Sequence, residues 1–167
     1  MAGGGGPGQG ELLRARARPR PPAAGMLELP GEIGYVPEDR HHEALALDLS
    51  LTENVALRGG GARRGLMGWR ALAMRTQDLM RRHDVRAPGP HVAVRTLSGG
   101  NQQKLVLARE LDGSPAALIV ENPTRGLDLR ATETVHEQLR AAARSGATLV
   151  LYTTDVDEML SLAHRVP

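Results

Sequence analysis

Three short apolar runs frame this chain: Ile33-Gly34-Tyr35-Val36, Ala117-Leu118-Ile119-Val120 and Ala147-Thr148-Leu149-Val150-Leu151-Tyr152. The second, ending in polar residues and a turn, predicts a buried parallel strand, and the other two predict strands of the same core. Elsewhere the spacing is helical. An arginine-, alanine- and leucine-containing stretch near 69–83, the run over 101–111 and a stretch near 129–145 predict helices. Gly59-Gly60-Gly61 and Pro88-Gly89-Pro90 interrupt the pattern, and no internal repeat is visible. Residues 1–30 are rich in Gly, Pro and Arg and predict a leader; residues 31–167 read as an α/β domain with a mainly helical part over about 49–111.

The chemistry concentrates where these elements begin and end. Leu97-Ser98-Gly99-Gly100-Asn101-Gln102-Gln103-Lys104 stands at the head of the apolar stretch Leu105-Val106-Leu107-Ala108-Arg109-Glu110-Leu111. A helix that starts on a Ser hydroxyl and two glycines offers unpaired N–H groups and the positive end of its dipole to an anion, with no side chain in the way. The same residues also suit a plain Ser-Gly-Gly turn capping an amphipathic helix. Downstream, the strand predicted over 117–120 runs into Glu121-Asn122-Pro123-Thr124-Arg125-Gly126-Leu127-Asp128.

Taken together, in this order and spacing, the two segments resemble the signature and the Walker B/D-loop of ATP-binding cassette (ABC) ATPases. The fold implied is an incomplete P-loop NTPase core of RecA-like type with a helical signature subdomain. In that family the signature Ser hydroxyl and Gly amides grip the γ-phosphate of an ATP held by an opposing cassette. The resemblance assigns that role to Ser98, Gly99 and Gly100, and extends the nucleotide-facing set to Asn101, Gln102 and Asp128. Two carboxylate positions depart from the pattern. Glu121 stands where the family has its Mg²⁺-associated Asp, and its extra methylene displaces the charge by about a bond length from a metal that tolerates misplacement poorly. Asn122 stands where the family has the Glu that polarises water. An amide cannot act as a base, so either it keeps a part in orienting water or it is a strand-end turn residue.

Further segments extend the likeness. Thr153-Thr154-Asp155 after the third run resembles the switch segment, with Thr154 in the histidine position; a hydroxyl can hydrogen-bond a phosphate but supplies no imidazole. Asp155 also suits a helix N-cap. Ile33-Gly34-Tyr35-Val36-Pro37-Glu38-Asp39-Arg40 resembles the Q-loop region, with Glu38 in the Gln position. The version ending in P-E-D-R is that of the second cassette of monosaccharide and nucleoside importers. Leu49-Ser50-Leu51-Thr52-Glu53-Asn54-Val55 resembles the segment that enters the helical subdomain and faces the membrane subunit. At the N-terminus, Gly6, Gly8 and Gln9 fall where a Walker A loop is expected. Gln9 replaces its lysine, and Glu11 is repulsive toward phosphate. A leader unrelated to phosphate is the alternative. The chain's single lysine is Lys104.

Composition narrows the function. With 167 residues the chain is short for such an ATPase, and the strand before the P-loop has no counterpart in it. Loss of that strand would expose neighbouring sheet edges, so a piece of a longer tandem protein is expected. The absence of Phe and an aromatic content of 2% leave no evident adenine platform. No cysteine is present, which excludes disulfides and thiolate metal sites, and the histidines show no metal-ligand spacing. The formal charge is only +2, with arginines clustered just between Arg14 and Arg20, so no nucleic-acid partner is expected. No apolar run approaches a membrane span. The resemblance implies ATP and Mg²⁺ shared with a second cassette in a head-to-tail dimer. It also implies transmembrane permease subunits as partners and a cytoplasmic place at the inner membrane through them. Two readings follow: a degenerate cassette of a sugar or nucleoside importer whose signature serves the partner's ATP, or a non-catalytic relic or regulatory fragment.

Overall fold

The computed structural model describes residues 31–58 and 65–163 of the chain. The Walker A-like segment with Gly6, Gly8 and Gln9, the arginine cluster and Gly59-Gly60-Gly61 lie outside the described residues.

Strands β1 (Ile33–Val36), β2 (Ala117–Glu121) and β3 (Thr148–Tyr152) form a parallel sheet in the order β1-β2-β3. The register places Tyr35 beside Ile119, and Ile119 beside Val150. β2 is buried along its whole length, as a strand flanked by two others and covered on both faces should be. β1 can lie close to its neighbours because residue 34 is glycine. A Cβ there would stand 2.6 Å from Leu118 Cδ1 and 2.9 Å from the Glu110 carbonyl oxygen. β3 is only half-buried and, among the described residues, forms the other edge of the sheet. Beside it a hollow of about 730 Å³ is lined by Val120, Leu139, Leu149, Leu151 and Leu162.

Five helices surround the sheet among the described residues: α1 (Leu51–Leu57), α2 (Trp69–Arg82), α3 (Gly99–Leu111), α4 (Leu129–Arg144) and α5 (Val156–Leu162). α3 is the central one. Its residues Gln102 to Arg109 are all buried, so it lacks the polar face that α2 and α4 present, and it packs against β1, α2 and α4. α1 begins with a capping box, in which Ser50 Oγ accepts from the Glu53 amide and the Glu53 carboxylate accepts from the Ser50 amide. Two short turns are not evident from periodicity: a π-type turn over Arg40–Ala44, closed by the Leu45 amide donating to the Arg40 carbonyl, and a 3₁₀ turn over Val94–Thr96. The helices expected near 69–83, 101–111 and 129–145 are α2, α3 and α4.

His83 closes the C-terminus of α2, and Gln138 Nε2 of α4 donates to its carbonyl at 3.0 Å. Burial holds its imidazole below the usual histidine range, outweighing the Gln138 side chain and the Asp112 charge, which favour the charged form. The folded state therefore favours neutral His83. Its contribution is complete above the unfolded value near 6.5 and is lost as pH falls toward the lower folded value. Thermal melts at pH 7.5 and 5.5 should show a smaller acid-induced fall in Tm for His83→Asn than for the unaltered chain. Equal falls would assign the acid sensitivity elsewhere.

Candidate nucleotide-facing site

The signature segment sits on the N-terminus of α3. Ser98 is the N-cap and is exposed; its Oγ accepts from the Asn101 backbone amide at 3.5 Å and from Asn101 Nδ2 at 3.1 Å. Asn101 Oδ1 takes the Arg86 amide at 2.8 Å, so this side chain ties the helix start to the loop after α2. Gly99 and Gly100 are each closely packed, the first against the movable end of an arginine and the second against α4. A Cβ on Gly99 would stand 2.9 Å from Nη2 of Arg40, and one on Gly100 would stand 3.0 Å from the Ala131 Cβ. Gln102, by contrast, is turned inward. It is buried, with Oε1 2.8 Å from His41 Nε2 and Nε2 donating to the Val94 and Leu97 carbonyls.

Asp128 caps α4, its Oδ1 accepting the Ala131 amide at 2.8 Å. Because Ala131 lies against Gly100, the starts of α3 and α4 are adjacent, and Ser98, Gly99, Gly100 and Asp128 share one end of the molecule. Lys104 is buried. Its Nζ donates to the Asp84 carboxylate at 2.7 Å and to the Asp84 carbonyl at 3.1 Å, and this bond holds the Asp84 carboxyl below its usual range.

The remaining sequence-predicted residues gather at the C-terminal ends of the strands, where ligands of parallel sheets bind. Glu121, the last residue of β2, is 2% exposed; its Oε2 accepts from the Tyr35 hydroxyl at 3.1 Å and from the Glu38 amide at 3.5 Å. The Glu38 carboxylate pairs with the Arg125 guanidinium, joining the loop after β1 to the turn after β2. Asn122 takes a positive φ of 39°, a left-handed conformation that Asn tolerates better than most residues. Its Oδ1 accepts from the Thr154 amide at 2.9 Å and from the Thr154 hydroxyl at 3.3 Å. Asn122 and Thr154, which the sequence resemblance sets at the family's Glu and His positions, are thus bonded to each other. Asp155 caps α5, accepting from the Asp157 and Glu158 amides.

Sequence reasoning passed over Tyr35, Arg40 and His41. Arg40 and His41 directly follow the P-E-D stretch, and Asp39 caps the π-type turn that aims them at α3. The Asp39 carboxyl is held below its usual range, chiefly by its hydrogen bond to the His42 side chain. A sequence gives no sign of a π-type turn, so their position beside Gly99 and Gln102 is visible only in three dimensions.

A parallel sheet with its polar loops at one end, and a glycine-headed central helix beside them, is the fold of an ABC ATPase cassette, here incomplete among the described residues. Solved structures agree. A dimeric ATP-binding cassette in a post-hydrolysis state bound to ADP and Pi superposes with a TM-score of 0.62 at 26% identity, over 77% of this chain and 54% of that one. A metal-chelate type ABC transporter in an inward-facing conformation shares the fold alone, with a TM-score of 0.74 at 22% identity over 96% of this chain.

In sequence the chain is similar to the ATP-binding proteins of ABC transporters. It is 38% identical over 138 residues to the nucleoside import ATP-binding protein NupA of Lactococcus lactis subsp. cremoris, and 36% identical over 138 residues to the guanosine import ATP-binding protein NupO of Bacillus subtilis. It is 37% identical over 137 residues to a ribose import ATP-binding protein of Burkholderia cenocepacia. Each match covers 80% of this chain but 27% of the relative, so the chain spans about a quarter of their length. No protein-family model matches it.

Such relatives raise the question of Mg²⁺. Glu121 is buried and already takes the Tyr35 hydroxyl and the Glu38 amide, and Glu38 is committed to Arg125. Among the described residues no group of three or more His, Cys, Asp or Glu stands together to hold a metal ion. As placed, these donors do not fit an octahedral cation that needs open oxygen ligands.

Proposed function

We propose that this chain is an ATP-binding cassette of an ABC importer for nucleosides or sugars, with a degenerate ATP site of its own and a signature that completes the ATP site of a partner cassette. The observation that carries the reading is the contrast between its two faces. Ser98, Gly99 and Gly100 head α3 with an exposed serine and no bulky side chain, while the Asn122 and Thr154 side chains are bonded to each other. The first arrangement suits an incoming phosphate; the second offers neither base nor imidazole. In this reading a competent partner supplies the Walker A lysine, the Mg²⁺ ligands and the catalytic Glu. Among the described residues no helix is long and apolar enough to cross a membrane, so permease subunits would hold the assembly at the inner membrane from the cytoplasmic side. Exposed Leu57, Leu66, Met67, Trp69 and Met74, on and between α1 and α2, support a permease-facing role for this helical part.

The chain by itself should bind ATP weakly. Lys104, its only lysine, is held by Asp84, and Gln9 brings no cation to the loop before it. Equilibrium titration of the isolated chain with ATP should show no saturation in the low-micromolar range. Tight binding that disappears when Gly8 is replaced by a bulky residue would overturn the degenerate-site assignment.

A further inference from the structure

A heavily bonded buried carboxylate near this site belongs to Glu158, on α5, to which neither the motif assignments nor the proposed function gives a role. It is 4% exposed. Its Oε1 accepts from Thr124 Oγ1 at 2.8 Å and lies 3.1 Å from His136 Nε2, and its Oε2 accepts from Thr153 Oγ1 at 2.5 Å. Thr124 opens the turn that runs from β2 to Asp128, Thr153 opens the loop that follows β3, and His136 is on α4. One carboxylate therefore joins three elements that are separate in sequence. A second link runs parallel to it, from Asn122 Oδ1 to Thr154. A carboxylate in so dry a place is favourable only while its acceptor capacity is filled, so the hydroxyls of both loops are drawn to one point.

We propose that Glu158 is a positioning residue that locks the turn carrying Asp128 and the loop carrying Thr154 into one unit. This inference rests on the proposed function, in which that end of the molecule meets the partner's ATP. A cassette that no longer reorganises around its own nucleotide needs another means of keeping these loops in the geometry the partner requires. The Glu158 carboxylate provides it without ligand. Preorganised groups are worth more in a transition state than groups that must be ordered during turnover.

The clamp predicts coupling across it. In hydrogen-exchange measurements on the full chain, Thr124→Val should speed exchange of the amides at 153–155, and Thr153→Val should speed exchange at 124–127, each by roughly tenfold. A side chain with a local packing role would loosen only its own loop, and exchange confined to the substituted loop would overturn the proposal. In the assembled complex with a competent cassette, Glu158→Gln should lower kcat for ATP about tenfold with KM changed less than twofold. The double variant Thr124→Val/Glu158→Gln should be no slower than Glu158→Gln alone, because both act through one link. Unchanged kcat in Thr124→Val and Glu158→Gln, at preserved Tm, would also overturn it. Ser98→Ala measured alongside separates the two ideas: a silent Ser98→Ala removes the signature-in-trans reading, while the exchange experiment still decides the clamp.

Discussion

Asn54→Asp is expected to cost the domain about 3 kcal/mol or more and to lower Tm by roughly 10 °C. Asn54 is fully buried in α1. Its Oδ1 accepts the Ala46 amide at 2.9 Å, and its Nδ2 donates to the carbonyls of Ala46 at 2.9 Å, Ser50 at 2.9 Å and Leu49 at 3.3 Å. One amide thereby braces the loop that joins the π-type turn to α1, adding to the bonds that the Leu49 and Ser50 carbonyls accept from the Val94 and Asn54 amides. A carboxylate of the same shape keeps the acceptor, loses every donor and sets a negative charge against three carbonyl oxygens. Burial leaves it no water to turn to. Thermal unfolding of the two forms checks this directly. A Tm within about 2 °C of the unaltered chain would mean that the loop finds other partners.

Gly100→Asp in the complex with a competent cassette should reduce ATP turnover on the order of a hundredfold. The substitution is chosen because it should spare the fold. Residue 100 lies in the first turn of α3, where a carboxylate is favourable to the helix dipole, and the new Cβ needs only a small adjustment from the Ala131 methyl 3.0 Å away. The same charge is repulsive to a phosphate approaching the helix start. Preserved Tm with lost turnover would thus place the defect at the phosphate. Turnover above a third of the unaltered rate would speak against any anion at this helix.

How much of this was legible in the sequence differs by element. The buried strand at 117–121 and the helix behind Ser98 are readable because each is set by a local run of residues: an unbroken apolar stretch in one case, a Ser-Gly-Gly cap before an apolar helix in the other. The likeness to ABC ATPases could be read for the same reason, since its motifs are contiguous. The role of Asn54 was not readable as chemistry. Its partners are close in sequence, but the loop conformation that aims their carbonyls at one amide has no periodic signature. Long-range pairs were out of reach altogether: Tyr35 to Glu121 spans 86 positions and His41 to Gln102 spans 61. Asn122 is the instructive case. The sequence left it between a turn residue and a water-orienting residue; its backbone takes a positive φ at the turn, and its side chain ties that turn to Thr154. Glu158 was overlooked because an acidic residue early in a helix reads as dipole stabilisation, whereas here its carboxylate is turned inward to two threonines and a histidine.

The most direct test of the central claim is the steady-state ATPase rate of the assembled complex carrying Ser98→Ala, set against the same complex carrying Asn122→Ala. The two changes act on opposite halves of the proposed asymmetry, and the smaller deletion, one hydroxyl against a whole carboxamide, is expected to do the greater harm. Ser98 is exposed at the start of α3, and Asn122 bonds Thr154 at the other face, where the Glu158 link remains. Ser98→Ala should cut the rate at least tenfold, and Asn122→Ala should change it by less than about threefold. The opposite ranking, with Asn122→Ala the damaging change and Ser98→Ala silent, would contradict a signature working in trans and leave a relic or regulatory fragment as the better account of this chain.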